Sequence, residues 1–181
     1  MTSAPAHLRE LTATNREFVL ALSVLPEQEP FVGTVAEALT DAALYPQANP
    51  WYRAIYAGEE PVGFVMISWN CVPQPPAIIG PWFLWKLLVD HRHQGRGYGA
   101  DAVRVVAELI SRAGARELLT SCFPDLAGSP APFYERLGFL ATGDFDVEGE
   151  TIFRLELHSD DDPTAEPATE NNARSRRRAS E

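Results

Sequence analysis

Three glycines in five positions, Gly95, Gly97 and Gly99 in "QGRGYG", divide an apolar run from a strongly periodic segment. The run before them, "WFLWKLLVD", reads as a long strand with an aromatic start. After them Ala100, Val103, Val106, Ala107 and Ile110 share one face at helical spacing. Glycine permits positive φ and lets a ligand come close to the main chain. The start of a helix adds unpaired amides and the positive end of a dipole. Strand, bare turn and helix start together make an anion site, most naturally one for phosphate. Spacing narrows the choice of ligand. A P-loop needs four residues between its glycines, then Lys and Ser or Thr, whereas Tyr98, Gly99 and Ala100 stand here. The dinucleotide pattern G-x-G-x-x-G places its third glycine one residue later than Gly99, and Glu117, near its acidic position, opens a strand rather than ending one. A nicotinamide- or flavin-dependent oxidoreductase therefore stays as an alternative, and so does a turn with no ligand.

The rest of the chain fits around this junction. "HLREL" reads as a short strand. "TNREFVLALS" and "VAEALTDAAL" read as helices, with Thr14 and Thr34 as caps. "WYRAIYA" and "PVGFVMISW" form a hairpin across Gly58, Glu59 and Glu60. The long helix is expected to stop near Gly114, where a left-handed residue can close its last turn. "RELLTSCF" is a strand, Ser129 caps a short helix beginning at Pro130, and "FLATGDFD" and "ETIFRLEL" make a closing hairpin. The fold class is α/β, a mixed sheet with helices on its faces. Residues 1–157 form the domain. From His158 to Glu181 no large apolar residue occurs, so 158–181 reads as a disordered tail, in which Arg174, Arg176, Arg177 and Arg178 make a candidate basic contact patch.

Charge excludes some functions. A net charge of −10 argues against nucleic acid as a partner and favours small cations. No apolar run reaches the roughly 18 residues of a membrane span, and "MTSAPAHLRE" lacks the pattern of a secretory signal, so a cytoplasmic protein is expected. Cys71 and Cys122 read as small buried thiols, and no Cys and His spacing suits zinc.

Read as Gln-x-x-Gly-x-Gly, "QGRGYG" resembles the acyl-coenzyme A signature of the GNAT acetyltransferase superfamily. "PFYERLGF" is similar to its second signature, a Tyr ahead of Leu-Gly-Phe at the end of a short helix. The two occur in the family's order, 36 residues apart from Tyr98 to Tyr134, and the resemblance covers residues 6–157. Within the superfamily, "EQEPFV", "YAGEEPVGFVMI" and "WFLWKLLVDHRHQGRGYG" resemble the bacterial diamine or spermidine acetyltransferase branch. The resemblance implies a mostly antiparallel, twisted sheet of about seven strands flanked by about four helices. It implies acetyl-coenzyme A as co-substrate and transfer of the acetyl group, by direct attack, to a primary amine of a small molecule, a polyamine being one candidate. A homodimer is compatible with it. The coenzyme is then expected along the backbone of Leu87, Leu88 and Val89, at Gln94, Gly95, Arg96, Gly97, Tyr98, Gly99 and Ala100, and beside Ser129 and Phe133. A catalytically inactive acyl-coenzyme A-binding module is the alternative within the same fold.

The chemistry sets further requirements. A primary amine of pKa about 10.4 is charged at neutral pH, and removing its proton costs roughly 4–5 kcal/mol. A carboxylate, directly or through water, can take that proton. Glu27, Glu29 and Asp90 are the candidates, Glu29 being carried forward, each with a solvated surface role as its alternative. The departing thiolate needs a proton, which the resemblance assigns to Tyr134. The alternative for Tyr134 is packing among Phe133, Leu137 and Phe139. The chain departs from the family pattern at Gly128 and Ser129, where many relatives carry Asn, and Pro132 falls in the first helical turn. His91 and His93 read as exposed loop residues. Arg92 and Arg96 are candidates for phosphate contacts. Trp82 and Trp85 fall on opposite faces of their strand by alternation, and Lys86, the chain's only lysine, shares a face with Leu84 and Leu88; a lysine there would repel a polyamine, so it marks either a different acceptor or a pairing with a nearby acid.

Overall fold

The hairpin expected from "WYRAIYA" and "PVGFVMISW" lies near the centre of a seven-stranded sheet in the computed structural model, which describes residues 5–157. The expectations for the 158–181 segment fall outside the described residues. The strands are β1 (Ala6–Arg9), β2 (Pro50–Ala57), β3 (Glu60–Trp69), β4 (Trp82–Val89), β5 (Glu117–Cys122), β6 (Leu140–Phe145) and β7 (Thr151–Glu156), in the spatial order β1-β2-β3-β4-β5-β7-β6. All neighbours are antiparallel except β4 and β5, which are parallel and joined by the long helix α4 (Tyr98–Arg112). The expected order of elements holds. The four expected helices are α1 (Arg16–Leu20), α3 (Val35–Leu44), α4 and α5 (Ala131–Arg136), and a single helical turn, α2 (Glu29–Val32), adds to them.

Each helix end follows from local chemistry. Thr34 caps α3 in a reciprocal box: its hydroxyl accepts from the Glu37 amide at 3.2 Å, and the Glu37 carboxylate accepts from the Thr34 amide at 2.8 Å. Thr14 does not cap α1. Asn15 occupies that position, and its side chain instead accepts from the Thr12 amide at 2.8 Å, bracing the preceding turn. Helix α4 stops where expected. Gly114 is left-handed, its amide donates to Ser111 O, and the next amide, of Ala115, donates back to Ile110 O at 2.9 Å.

Two layers of apolar side chains cover the sheet. On one face Tyr98, Ala102, Val103, Val106 and Ile110 of α4 pack on Val65, Ile67 and Leu84. On the other, Val19 of α1 and Val35, Ala38 and Ala42 of α3 pack on Phe64, Met66 and Leu88. Strand β3 is therefore buried on both sides, which explains its nearly continuous apolar sequence.

Strand β4 breaks its own alternation. Met66 pairs with Lys86 and Ile67 with Leu84, so Trp85 is an extra residue in the ladder. Before this bulge Trp82 and Leu84 face α4; after it Leu88 faces α1 and α3. Lys86 thus shares a face with Leu88 but not with Leu84. Its ammonium lies 3.9 Å from the Asp41 carboxylate on α3, which is the acid pairing among its two expected alternatives.

Candidate active site

Among the described residues, the one parallel pair of strands is also where the sheet opens. Strands β4 and β5 register at a single pair, Phe83 with Leu119, and beyond it they diverge. Thr120 sits where they part, its hydroxyl donating to Leu84 O at 3.1 Å. The gap continues into a cleft of about 580 Å³. One wall comes from Leu87 and Val89 of β4 and from the glycine turn. The other comes from Thr120, Ser121 and Cys122 of β5 and from α5. Phe31 and Val32 of α2 close one side.

At one end lies the glycine turn. Gly95 and Gly97 have φ of +74° and +90°, and a Cβ at either would meet no atom within 4 Å. Their bare faces look into open space, which leaves room for a phosphate against the first amides of α4. Gly99 serves a different purpose. A Cβ there would stand 3.4 Å from both Phe133 and Val89, so this glycine faces α5 and β4 rather than open space. Ala100 also lines the cleft. Tyr98 lines it too, with its ring buried in the core. Arg96 is exposed between the two open glycines and is not part of the lining. Gln94 is part of the lining, but its amide is already engaged: it donates to Val89 O at 3.0 Å and to Gln28 Oε1 at 2.8 Å. Leu88 turns away, buried against α1 and α3.

At the other end stands Tyr134. Burial pushes its phenol up to about 12, and a hydrogen bond with the Thr120 hydroxyl opposes this only in part. The phenol is therefore protonated throughout the neutral range. Phe133 meets its ring edge-on at 5.3 Å, and both rings line the cleft. Ser129 does not occupy the cap of α5, which starts at Ala131 with Pro130 at the cap position; one residue earlier, its hydroxyl accepts from the Ala131 amide at 3.2 Å and braces the start of the helix. Cys122 is buried, and that burial raises its thiol despite a hydrogen bond with Ser129.

The carboxylates named from sequence fall elsewhere. Asp90 is 1% exposed, and its oxygens accept from the Ser23 amide at 3.1 Å, the Arg92 amide at 3.0 Å and the Arg92 guanidinium at 2.7 and 3.2 Å. Burial alone would raise this acid; the Arg92 and Ser23 bonds outweigh it and bring the carboxyl down to about 2. So occupied, Asp90 and Arg92 form a structural clasp behind the glycine turn. Glu27 and Glu29 are exposed, and neither side chain lines the cleft. His93, read as exposed, is buried in the cleft wall with Nε2 3.5 Å from Glu60, whereas His91 is exposed as expected. Of the four tryptophans only Trp85, released by the bulge, lines the cleft.

Glu150, Ser121 and Arg136 line the cleft and carried no signal in the sequence. Glu150 sits at the end of "DFDVEGE", which reads only as an acidic turn. Its carboxylate accepts from the Ser121 hydroxyl at 2.7 Å. Burial raises its pKa above the usual carboxylate value, the Ser121 bond opposes this, and Asp146 and Glu148 add to the rise.

Known proteins share this fold. A family model described as "Acetyltransferase (GNAT) family" matches residues 15–139, more than half of the chain. The spermine/spermidine N(1)-acetyltransferase of Bacillus subtilis (strain 168) is 24% identical over 152 residues, spanning 83% of this chain and 98% of that protein. An acetyltransferase from Thermus thermophilus superimposes with a TM-score of 0.63 at 22% identity, covering 87% of this chain and all of the other. The PaiA N-acetyltransferase from Thermoplasma acidophilum, solved in complex with coenzyme A, gives 0.57 at 14% identity over 83% of this chain and 98% of that one. With the family match the dinucleotide alternative loses its place.

Proposed function

Because the chain belongs to the GNAT family of acetyltransferases, which use acetyl-coenzyme A as co-substrate, we propose that it acetylates the primary amine of a small molecule, a polyamine being the favoured class. The B. subtilis relative, named for spermine and spermidine, supports the polyamine class, as does the net charge of −10, which draws cations.

The coenzyme fits the residues present. Gly95 and Gly97 offer open main chain at the start of α4 for its pyrophosphate, and Leu87, Val89, Ala100 and Phe133 line the way inward. When bound, it supplies an acetyl carbon activated as a thioester. Tyr134, buried at the far end of the same cleft and protonated at neutral pH, gives the sulfur its proton as the carbon–sulfur bond breaks. This placement of a protonated phenol opposite the glycine turn is the observation that carries the reading.

Direct attack by the amine is favoured over a thiol relay. Cys122 is the one thiol in the cleft among the described residues, and its burial and raised pKa keep it from acting as a thiolate nucleophile. Thiol release from acetyl-coenzyme A, measured against a panel of polyamines, monoamines and arylamines, tests the proposal. Turnover with at least one aliphatic amine is expected. Tight coenzyme binding with no turnover on any amine would indicate the inactive binding module instead.

A further inference from the structure

Among the described residues, Glu150 is the only carboxylate lining the cleft. Its position is built. The hairpin turn fixes the backbone, with the Glu150 amide donating to Asp146 Oδ1 at 2.9 Å and the Asp146 amide donating to Glu150 O at 3.0 Å. Ser121, on the neighbouring β5, then holds one carboxylate oxygen at 2.7 Å. Among the described residues no cation pairs with Glu150, whereas Asp90, Glu59 and Asp101 each have an arginine within 3 Å. The charge of Glu150 is felt at both Tyr134 and Cys122, which places it on the same stretch of cleft as the phenol. Other charged or titratable groups around it are Asp146 and Glu148 on its own hairpin and Arg136 in the cleft wall.

We propose that the Glu150 carboxylate receives the ammonium of the acceptor inside the cleft and takes its proton. This rests on the acetyltransferase reading above and assigns the base that the sequence left open. A half-buried carboxylate without a cationic partner binds a cation well, and burial makes it a stronger base than an ordinary glutamate. The ammonium gives one proton to Glu150, and its freed electron pair bonds to the acetyl carbon. The carbon–sulfur bond breaks, the sulfur keeping that bond's electron pair and taking the Tyr134 proton. On becoming an amide the nitrogen loses a second proton, which restores the phenol by way of solvent. Glu150 then returns its proton to water, so one proton is released overall. The acceptor class that follows is a cationic aliphatic amine rather than an arylamine, which is neutral at pH 7 and gains nothing from the carboxylate.

The test compares Glu150→Gln, which keeps the shape and can still accept from Ser121, with Glu150→Asp and the wild type. Spermidine and propylamine serve as acceptors. Three measurements are made: acetyl-coenzyme A affinity by calorimetry, spermidine affinity for the complex with free coenzyme A, and kcat/KM for each amine from pH 6 to 9. In Glu150→Gln, kcat/KM is expected to fall at least a hundredfold and spermidine binding at least tenfold, with acetyl-coenzyme A affinity unchanged. Glu150→Asp is expected to recover part of the rate. In Glu150→Gln the pH profile is expected to follow the fraction of free amine, climbing towards its pKa of about 10.4, and to lie below the wild-type profile across the range. If Glu150→Gln keeps kcat/KM within threefold while the wild type turns over, the assignment is wrong and the acetyltransferase reading stands. If the wild type itself neither binds acetyl-coenzyme A nor releases thiol, the reading of function fails and this assignment falls with it.

Discussion

The Phe139 amide donates to the Tyr134 carbonyl at 3.1 Å, and the two rings meet edge-on at 5.4 Å. Between them Gly138 is left-handed, with φ of +93°, and its own amide donates to Glu135 O at 3.0 Å. This closes α5 with the same paired bonds that close α4 at Gly114. The phrase "YERLGF" is therefore a helix stop that also sets Tyr134, the proposed proton donor. Phe139 is fully buried, so it anchors the ring of Tyr134 as well as its backbone. Replacing Gly138 by Ala would force a Cβ onto a left-handed residue, at a cost of about 1–2 kcal/mol. A lower Tm and a lower kcat are expected together, with acetyl-coenzyme A affinity little changed.

Tyr134→Phe keeps the ring and its two aromatic neighbours. Its single-turnover rate is expected to drop by about 10²-fold, near the lower end of general acid effects. Because the proton is needed only as the carbon–sulfur bond breaks, the loss belongs in the chemical step and not in coenzyme affinity. An unchanged single-turnover rate would assign Tyr134 to packing alone.

The raised phenol has a signature of its own. With its pKa near 12 rather than 10, the wild-type single-turnover rate is expected to stay level between pH 8 and 10 instead of falling as an ordinary tyrosine ionises. The same shift acts on stability. Above pH 10 the unfolded chain loses this proton while the folded protein keeps it, so Tyr134 weakens the fold progressively up to about pH 12. Denaturant midpoints of wild type and Tyr134→Phe, compared across that range, measure this contribution.

Asp90 gives the opposite pH dependence. Its carboxyl is held near 2, below its ordinary 3.8, so its stabilising effect is complete above pH 4 and is lost as pH falls through 2. The difference corresponds to about 2 kcal/mol. Asp90→Asn is expected to lower the unfolding free energy at pH 7 by about that much and to flatten the wild-type loss of stability between pH 4 and 2. Urea titrations at several pH values check both.

Gly97→Val tests the anion site. The residue has φ of +90°, and a side chain there meets no protein atom, so the fold loses only the strain of about 1–2 kcal/mol. The added carbons occupy the space offered to the pyrophosphate. The Kd for acetyl-coenzyme A is expected to rise at least tenfold in a folded variant. Unchanged affinity would move the phosphate site elsewhere.

Much of this was legible beforehand because the informative residues act locally. Gly95, Gly97 and Gly114 announce positive-φ turns, Thr34 announces a helix cap, and the β-rich runs either side of Gly58 announce a hairpin. What stayed hidden depends on pairing between distant segments. The bulge at Trp85 is a mismatch of count between β3 and β4, and no pattern within β4 reveals it. Without it, alternation misplaces Lys86. Glu150 enters the cleft only because β7 pairs with β5, bringing Ser121 opposite Ile152 and the preceding turn alongside. Conversely, Asp90 lies next to the signature in sequence yet is consumed by Arg92 beside it, with the Ser23 amide, 67 residues away, completing its shell.

The single register pair between β4 and β5 leaves the molecule as two half-sheets, β1–β4 and β5–β7, spanned by α4 rather than fused by a ladder. Whatever lies in the gap takes the place of missing rungs. On the proposed placement the coenzyme draws on the same backbone groups that a neighbouring strand would have used, which would link occupancy of the cleft to the rigidity of the sheet. Slower amide exchange at Leu87 and Val89 on saturation, alongside a higher Tm, would be the mark of a protein whose substrate completes its architecture.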